Sequence, residues 1–170
     1  MAQTSAQPKL FQPGDKVVYP SHGVGSVESL EAHEIAGETL NVYVISFEQE
    51  RMKLRLPVTK ANSSGLRGLS SKRQMAEALK TLKTKGKVKR TMWARRAQEY
   101  ELKINSGNPE SIAEVLRDLH RNTSQPEQSY SERQLYQAAL ERLSREVCAV
   151  EIVSEAKAVE TIKTALQIDG

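Results

Sequence analysis

The spacing of hydrophobic positions along this chain changes once, near residue 70. Before that point they form short runs or alternate. Val17, Val18 and Tyr19 make a β-prone run that Pro20 ends. Ser21-His22-Gly23-Val24-Gly25 reads as a turn, its two glycines suiting a tight backbone. A second strand is predicted over about 26–35, with Ala36-Gly37-Glu38 closing a hairpin. Leu40 to Phe47 (LNVYVISF) is rich in β-branched and aromatic residues and reads as the next strand. Met52-Lys53-Leu54-Arg55-Leu56 alternates strictly until Pro57. A period of two turns Met52, Leu54 and Leu56 inward and leaves Lys53 and Arg55 facing solvent. Several short strands with tight turns predict a small barrel of the SH3 or Tudor kind.

Beyond residue 70 the period lengthens to that of a helix. Met75, Leu79 and Leu82 fall at i, i+4 and i+7, as a buried stripe requires. A basic break, Thr84 to Arg90 (TKGKVKR), separates this helix from one over about 91–106, with Gly107 where a left-handed C-cap is wanted. Asn108 and Pro109 supply a capping residue and a first-position proline for a third helix, whose apolar face is Ile112, Val115, Leu116 and Leu119. After a polar linker, Thr123 to Gln128, Ser129 and Glu132 stand at capping-box spacing. The fourth helix carries Tyr136, Leu140, Leu143, Val147 and Val150 inward. Ser154 can cap a fifth helix with Val159, Ile162 and Leu166 inward. The expected class is α+β in two domains: a β barrel over 1–65, then an all-α domain of about five helices over 66–170.

Charge sharpens this division. Residues 67–103 hold twelve Lys/Arg against three Asp/Glu, a net of +9, whereas the preceding stretch nets −1 and the following one −4. A field concentrated in this way is the footprint of a nucleic-acid binder, although a solvated helical face with a basic linker would read the same. No apolar run reaches the length of a membrane span, and Met1 to Pro8 lacks the apolar stretch of a secretory signal. A single cysteine, Cys148, fits a reducing cytoplasm.

The residue types that carry catalysis are present without their partners. His22, His33 and His120 lie in different elements, with no second ligand at metal spacing. Cys148 sits in an amphipathic helix without a basic neighbour to activate it. Gly23-Val24-Gly25 is too short for a dinucleotide loop. Neither an enzyme, a cofactor nor a metal is expected. Trp93 is different: the only tryptophan, it stands in Arg90-Thr91-Met92-Trp93-Ala94-Arg95-Arg96 at a helix start. Its spacing with Ala97, Tyr100 and Ile104 allows a core stripe. The alternative is a flat apolar ring that wedges between base steps while arginines hold phosphates.

At these residues the chain resembles the CarD/CdnL family of bacterial RNA polymerase-binding regulators. The matching segments are Pro13-Gly14-Asp15-Lys16-Val17-Val18-Tyr19-Pro20 with His22-Gly23, Arg55-Leu56-Pro57, Trp93-Ala94-Arg95-Arg96, Ser106-Gly107 and Ala113-Glu114-Val115-Leu116-Arg117-Asp118-Leu119. Transcription-repair coupling factor shares the N-terminal signature; the Trp-x-Arg-Arg helix makes the match specific. The resemblance implies a Tudor-like domain binding the polymerase β subunit and a helical domain gripping promoter DNA at the upstream edge of the transcription bubble. There Trp93 would enter the minor groove and hold the melted state open. Arg95, Arg96 and Arg133 match basic DNA-facing positions, and Lys89 and Arg90 adjoin them in the basic segment. Arg55 matches a polymerase-interface arginine, with Lys53 on the same solvent face. His33 stands where a further interface arginine falls, and Gln98 replaces another basic residue. The protein is expected to act as a monomer in the cytoplasm, reaching the nucleoid through polymerase. A general nucleic-acid binder whose barrel recruits a different protein is the alternative.

Overall fold

The alternation between Lys16 and Pro57 is realised as strands, and the longer period after it as helices. The computed structural model describes residues 10–86, 92–121 and 128–167. Two units emerge: Met1–Tyr19 with Gly25–Gly68, and Pro20–Val24 with Leu69–Gly170. The class is α+β.

In the first unit β1 (Lys16–Tyr19), β2 (Gly23–Ile35), β3 (Glu38–Phe47), β4 (Met52–Pro57) and β5 (Arg67–Gly68) form one sheet in the order β4-β3-β2-β1-β5. The β2–β3, β3–β4 and β1–β5 pairs are antiparallel. Bringing the last strand back beside the first is the connectivity of SH3 and Tudor barrels. Val17, Val27, Tyr43, Ile45, Phe47 and Leu56 form the centre of the core, joined by Ala61 and Leu66 from the segment before β5. Phe11 packs edge-on against Tyr43, whose hydroxyl accepts a hydrogen bond from the Phe11 backbone N–H at 3.1 Å.

Two details differ from the sequence reading. The turn expected over 21–25 is shorter, because β2 already begins at Gly23. Gly25 is needed for space rather than for turning: a Cβ there would stand 2.8 Å from the Phe47 ring. β5 was not foreseen; two residues are too few to show a period. The β2–β3 hairpin closes through Ala36 and Gly37 alone, both at positive φ, as a two-residue type I′ turn demands.

In the second unit α1 (Lys72–Leu82), α2 (Trp93–Asn105), α3 (Pro109–Leu119), α4 (Tyr130–Glu151) and α5 (Glu155–Gln167) enclose a single core. Its centre is Met75, Leu82, Tyr100, Val115, Leu116, Leu119, Leu143 and Ile162. Side-chain caps set the starts: Ser71 and Gln74 form a full capping box on α1, Asn108 caps α3 and Ser154 caps α5. At α4 only half of the anticipated box forms. Ser129 accepts from the Glu132 N–H, but the Glu132 carboxylate turns to Arg121 at 3.0 Å. Gly107, at φ +72°, ends α2 in the left-handed conformation. Glu146, buried on α4, accepts the Ser70 backbone N–H at 2.9 Å.

Candidate nucleic-acid interface

α2 starts without a side-chain cap: Met92 holds the N-cap position, and its carbonyl accepts the N–H groups of both Arg95 and Arg96. Trp93, the first helical residue, is half-buried. Its ring lies against Tyr100, centroids 6.3 Å apart at 49°, and its indole N–H points toward the Ser131 hydroxyl on the first turn of α4, 3.3 Å away. One side of the ring leans on the core, and part of it remains exposed.

The basic residues around it divide. Arg95 and Arg133 are exposed, each on the first turn of its helix. Arg96 folds back over the rings, its guanidinium carbon 5.5 Å from the Trp93 centroid and 5.8 Å from that of Tyr100. Gln98 is exposed. Lys89 and Arg90 lie outside the described residues. Met92, just before the indole at the N-cap of α2, and Tyr130, just before Ser131 on α4, are 80% and 76% exposed and add apolar surface near the two helix starts. Ser131 and Tyr130 escaped the sequence reading because nothing in a 38-residue separation reveals that the starts of α2 and α4 meet. The available signal was an aromatic side chain at a helix's first position.

In the β unit, Lys53 and Arg55 face solvent on β4, as the alternation requires. Each carries an acidic partner from β2: Lys53 pairs with Glu28 at 3.1 Å, and Arg55 lies 3.8 Å from Glu31. Glu31 also meets His33 at 2.8 Å, so His33 and Arg55 share one carboxylate. These side chains are 35–60% exposed, and solvent-exposed pairs contribute only about 0–1 kcal/mol. A partner can exchange them at little cost. β4 is an edge strand, with no strand beyond it among the described residues.

His120 caps the end of α3, its Nδ1 3.2 Å from the Tyr136 hydroxyl. Burial lowers its pKa below the ordinary 6.5, helped by the Lys163 ammonium. Burial raises the Tyr136 phenol. Among the described residues no three His, Cys, Asp or Glu side chains come together as metal ligands, and no helix is long and apolar enough to cross a membrane.

Two family models match the chain: CarD, C-terminal domain, over residues 77–163, and CarD-like/TRCF RID domain, over residues 11–70. The first alone spans half of the sequence and contains α2 with its Trp-x-Arg-Arg start. The chain belongs to the CarD/CdnL family. YdeB, a candidate transcription factor of Bacillus subtilis (strain 168), is 29% identical over 146 residues, covering 86% of this chain and 95% of its own. Among solved structures, CdnLNt from Myxococcus xanthus is 38% identical, covering 39% of this chain and 93% of that one at a TM-score of 0.32. The 72-residue N-terminal domain of Myxococcus xanthus CarD is 30% identical, covering 36% and 84% at a TM-score of 0.30. As a CarD/CdnL member this protein is a transcription regulator, from a family of transcription factors rather than of enzymes.

Proposed function

We propose that this CarD/CdnL protein binds the RNA polymerase β subunit through its N-terminal β unit and promoter DNA through its helical unit, stabilising the open complex at the upstream edge of the bubble. One observation carries the reading: a partly exposed indole at a helix start, preceded by exposed Met92 and followed by exposed Arg95, with exposed Tyr130 next to the Ser131 that its N–H reaches. That composition suits a wedge. An apolar ring can enter a minor-groove step while cations hold the phosphates on either side. Arg95 and Arg133 fit the phosphate role, with Lys89 and Arg90 on charge alone. The polymerase role falls to Lys53 and Arg55 on β4 and His33 on β2, where the edge of β4, unpaired among the described residues, can add to another sheet and the cations can exchange Glu28 and Glu31 for a partner's acids. The protein acts as a monomer in the cytoplasm, brought to the nucleoid by polymerase.

The test uses the full chain with polymerase and promoter. Arg55→Glu abolishes capture by the β subunit while the circular-dichroism melt is unchanged; a folded variant that is still captured overturns the polymerase half. Trp93→Ala keeps capture but shortens the lifetime of the open complex, because nothing then blocks re-pairing of the upstream bases. Equal lifetimes with parent and variant overturn the DNA half.

A further inference from the structure

We propose that Arg96 is a positioning residue: its guanidinium does not bind phosphate but braces the Trp93 indole in a fixed orientation. The consequence for open complexes rests on the wedge reading above; the brace itself does not.

Arg95 and Arg96 are neighbours in sequence with opposite surroundings. A step of one residue turns the helix by about 100°, so only one of them can share a face with Trp93. Arg96, three residues after Trp93 and four before Tyr100, takes that face. Three contacts follow. The guanidinium carbon sits over both rings, at 5.5 and 5.8 Å. Nη2 lies 3.3 Å from the Tyr100 hydroxyl and points its hydrogen to it. Nε is buried and makes no hydrogen bond among the described residues. A guanidinium that served phosphate would turn its donors outward, whereas here one is enclosed and another is directed at a tyrosine of the same helix. The group tolerates this because it is planar and weakly hydrated, and stacks on aromatic faces as an ammonium does not.

The result is an indole held on three sides. Tyr100 backs it, Arg96 covers a face, and Ser131 takes its N–H edge from α4. A wedge that already points one way loses little rotational freedom on insertion, so holding it in advance strengthens the bound state. The plane of the guanidinium, which adds stacking to the cation–π attraction, is what sets arginine apart from lysine at position 96.

Trp93 is the only tryptophan, so its fluorescence reports the brace directly in the intact protein. Arg96→Lys keeps the charge and removes the plane. It is expected to make the indole more accessible to acrylamide and lower its emission anisotropy, and to shorten open-complex lifetime by about three- to tenfold. Tyr100→Phe, which removes only the hydroxyl, moves the quenching the same way by less and guards against a folding defect at position 96. Arg96→Gln leaves the slope of log affinity against log salt unchanged, while Arg95→Gln flattens it by about 0.9. Unchanged quenching in Arg96→Lys, or a flattened slope in Arg96→Gln, overturns the brace. If Trp93→Ala leaves open complexes as long-lived as before, the wedge reading falls, and the quenching of Arg96→Lys still decides the brace.

Discussion

Trp93 belongs neither to the core nor wholly to the surface, and its energetics follow from that. A fully buried tryptophan removed to alanine costs about 3–5 kcal/mol, an exposed one about 1 or less. With the ring half-buried against Tyr100, Trp93→Ala should destabilise the helical unit by about 2 kcal/mol, read as a shift in the urea midpoint at constant slope. A loss above about 4 kcal/mol would mean that the indole is a core residue and has too little free surface to enter a base step. The i, i+7 spacing of Trp93 and Tyr100 was legible in the sequence as a core stripe, while the flanking arginines suggested an exposed ring instead. The fold gives the ring a packed side and an exposed one, because a helix's first residue can pack one edge inward and leave another open.

At the scale of elements, the helices were legible wherever a cap wrote their boundaries. Asn108, Ser129 and Ser154, legible as caps, each accept a backbone N–H at the start of a helix; Ser71 does the same for α1, whose place was legible from its apolar stripe alone. What stayed hidden was long-range. The Ser70 N–H on buried Glu146 and the Trp93 contact to Ser131 join segments whose local patterns say nothing of each other. The end of α3 shows how such a junction responds to pH. Burial and, after it, the Lys163 ammonium disfavour the charged form of His120, so its folded pKa lies below the ordinary 6.5. The unfolded chain therefore takes up the proton first as pH falls. The contribution of His120 to stability is complete above 6.5 and is lost as pH drops from there toward the lowered folded value. His120→Gln should flatten the acid limb of a plot of melting temperature against pH. An unchanged limb would show that the imidazole titrates alike in both states.

Over the whole molecule, charge and fold divide the chain at nearly the same place. Apart from Pro20–Val24, the helical unit begins at Leu69, and the strongly positive stretch at Arg67. Duplex DNA should therefore bind with little sequence preference and a steep salt dependence, counterion release supplying most of the affinity. Neutralising the exposed Arg95 and Arg133 together should flatten the salt slope by about 1.8, as two lost phosphate contacts require. A slope unaltered by the pair would place the DNA on another face.

The free edge of β4 has a second consequence. A strand with unsatisfied backbone groups pairs with any complementary edge, including that of another molecule of the same protein. Lys53 and Arg55 face solvent on that strand, so two copies approaching edge to edge would bring like charges together. The residues assigned to attracting polymerase would then also be gatekeepers against self-assembly. Replacing both with threonine, which favours strands and carries no charge, should leave the unit folded and make it form dimers or larger aggregates with rising concentration. Light scattering that stays monomeric would show that the edge is protected by something other than charge.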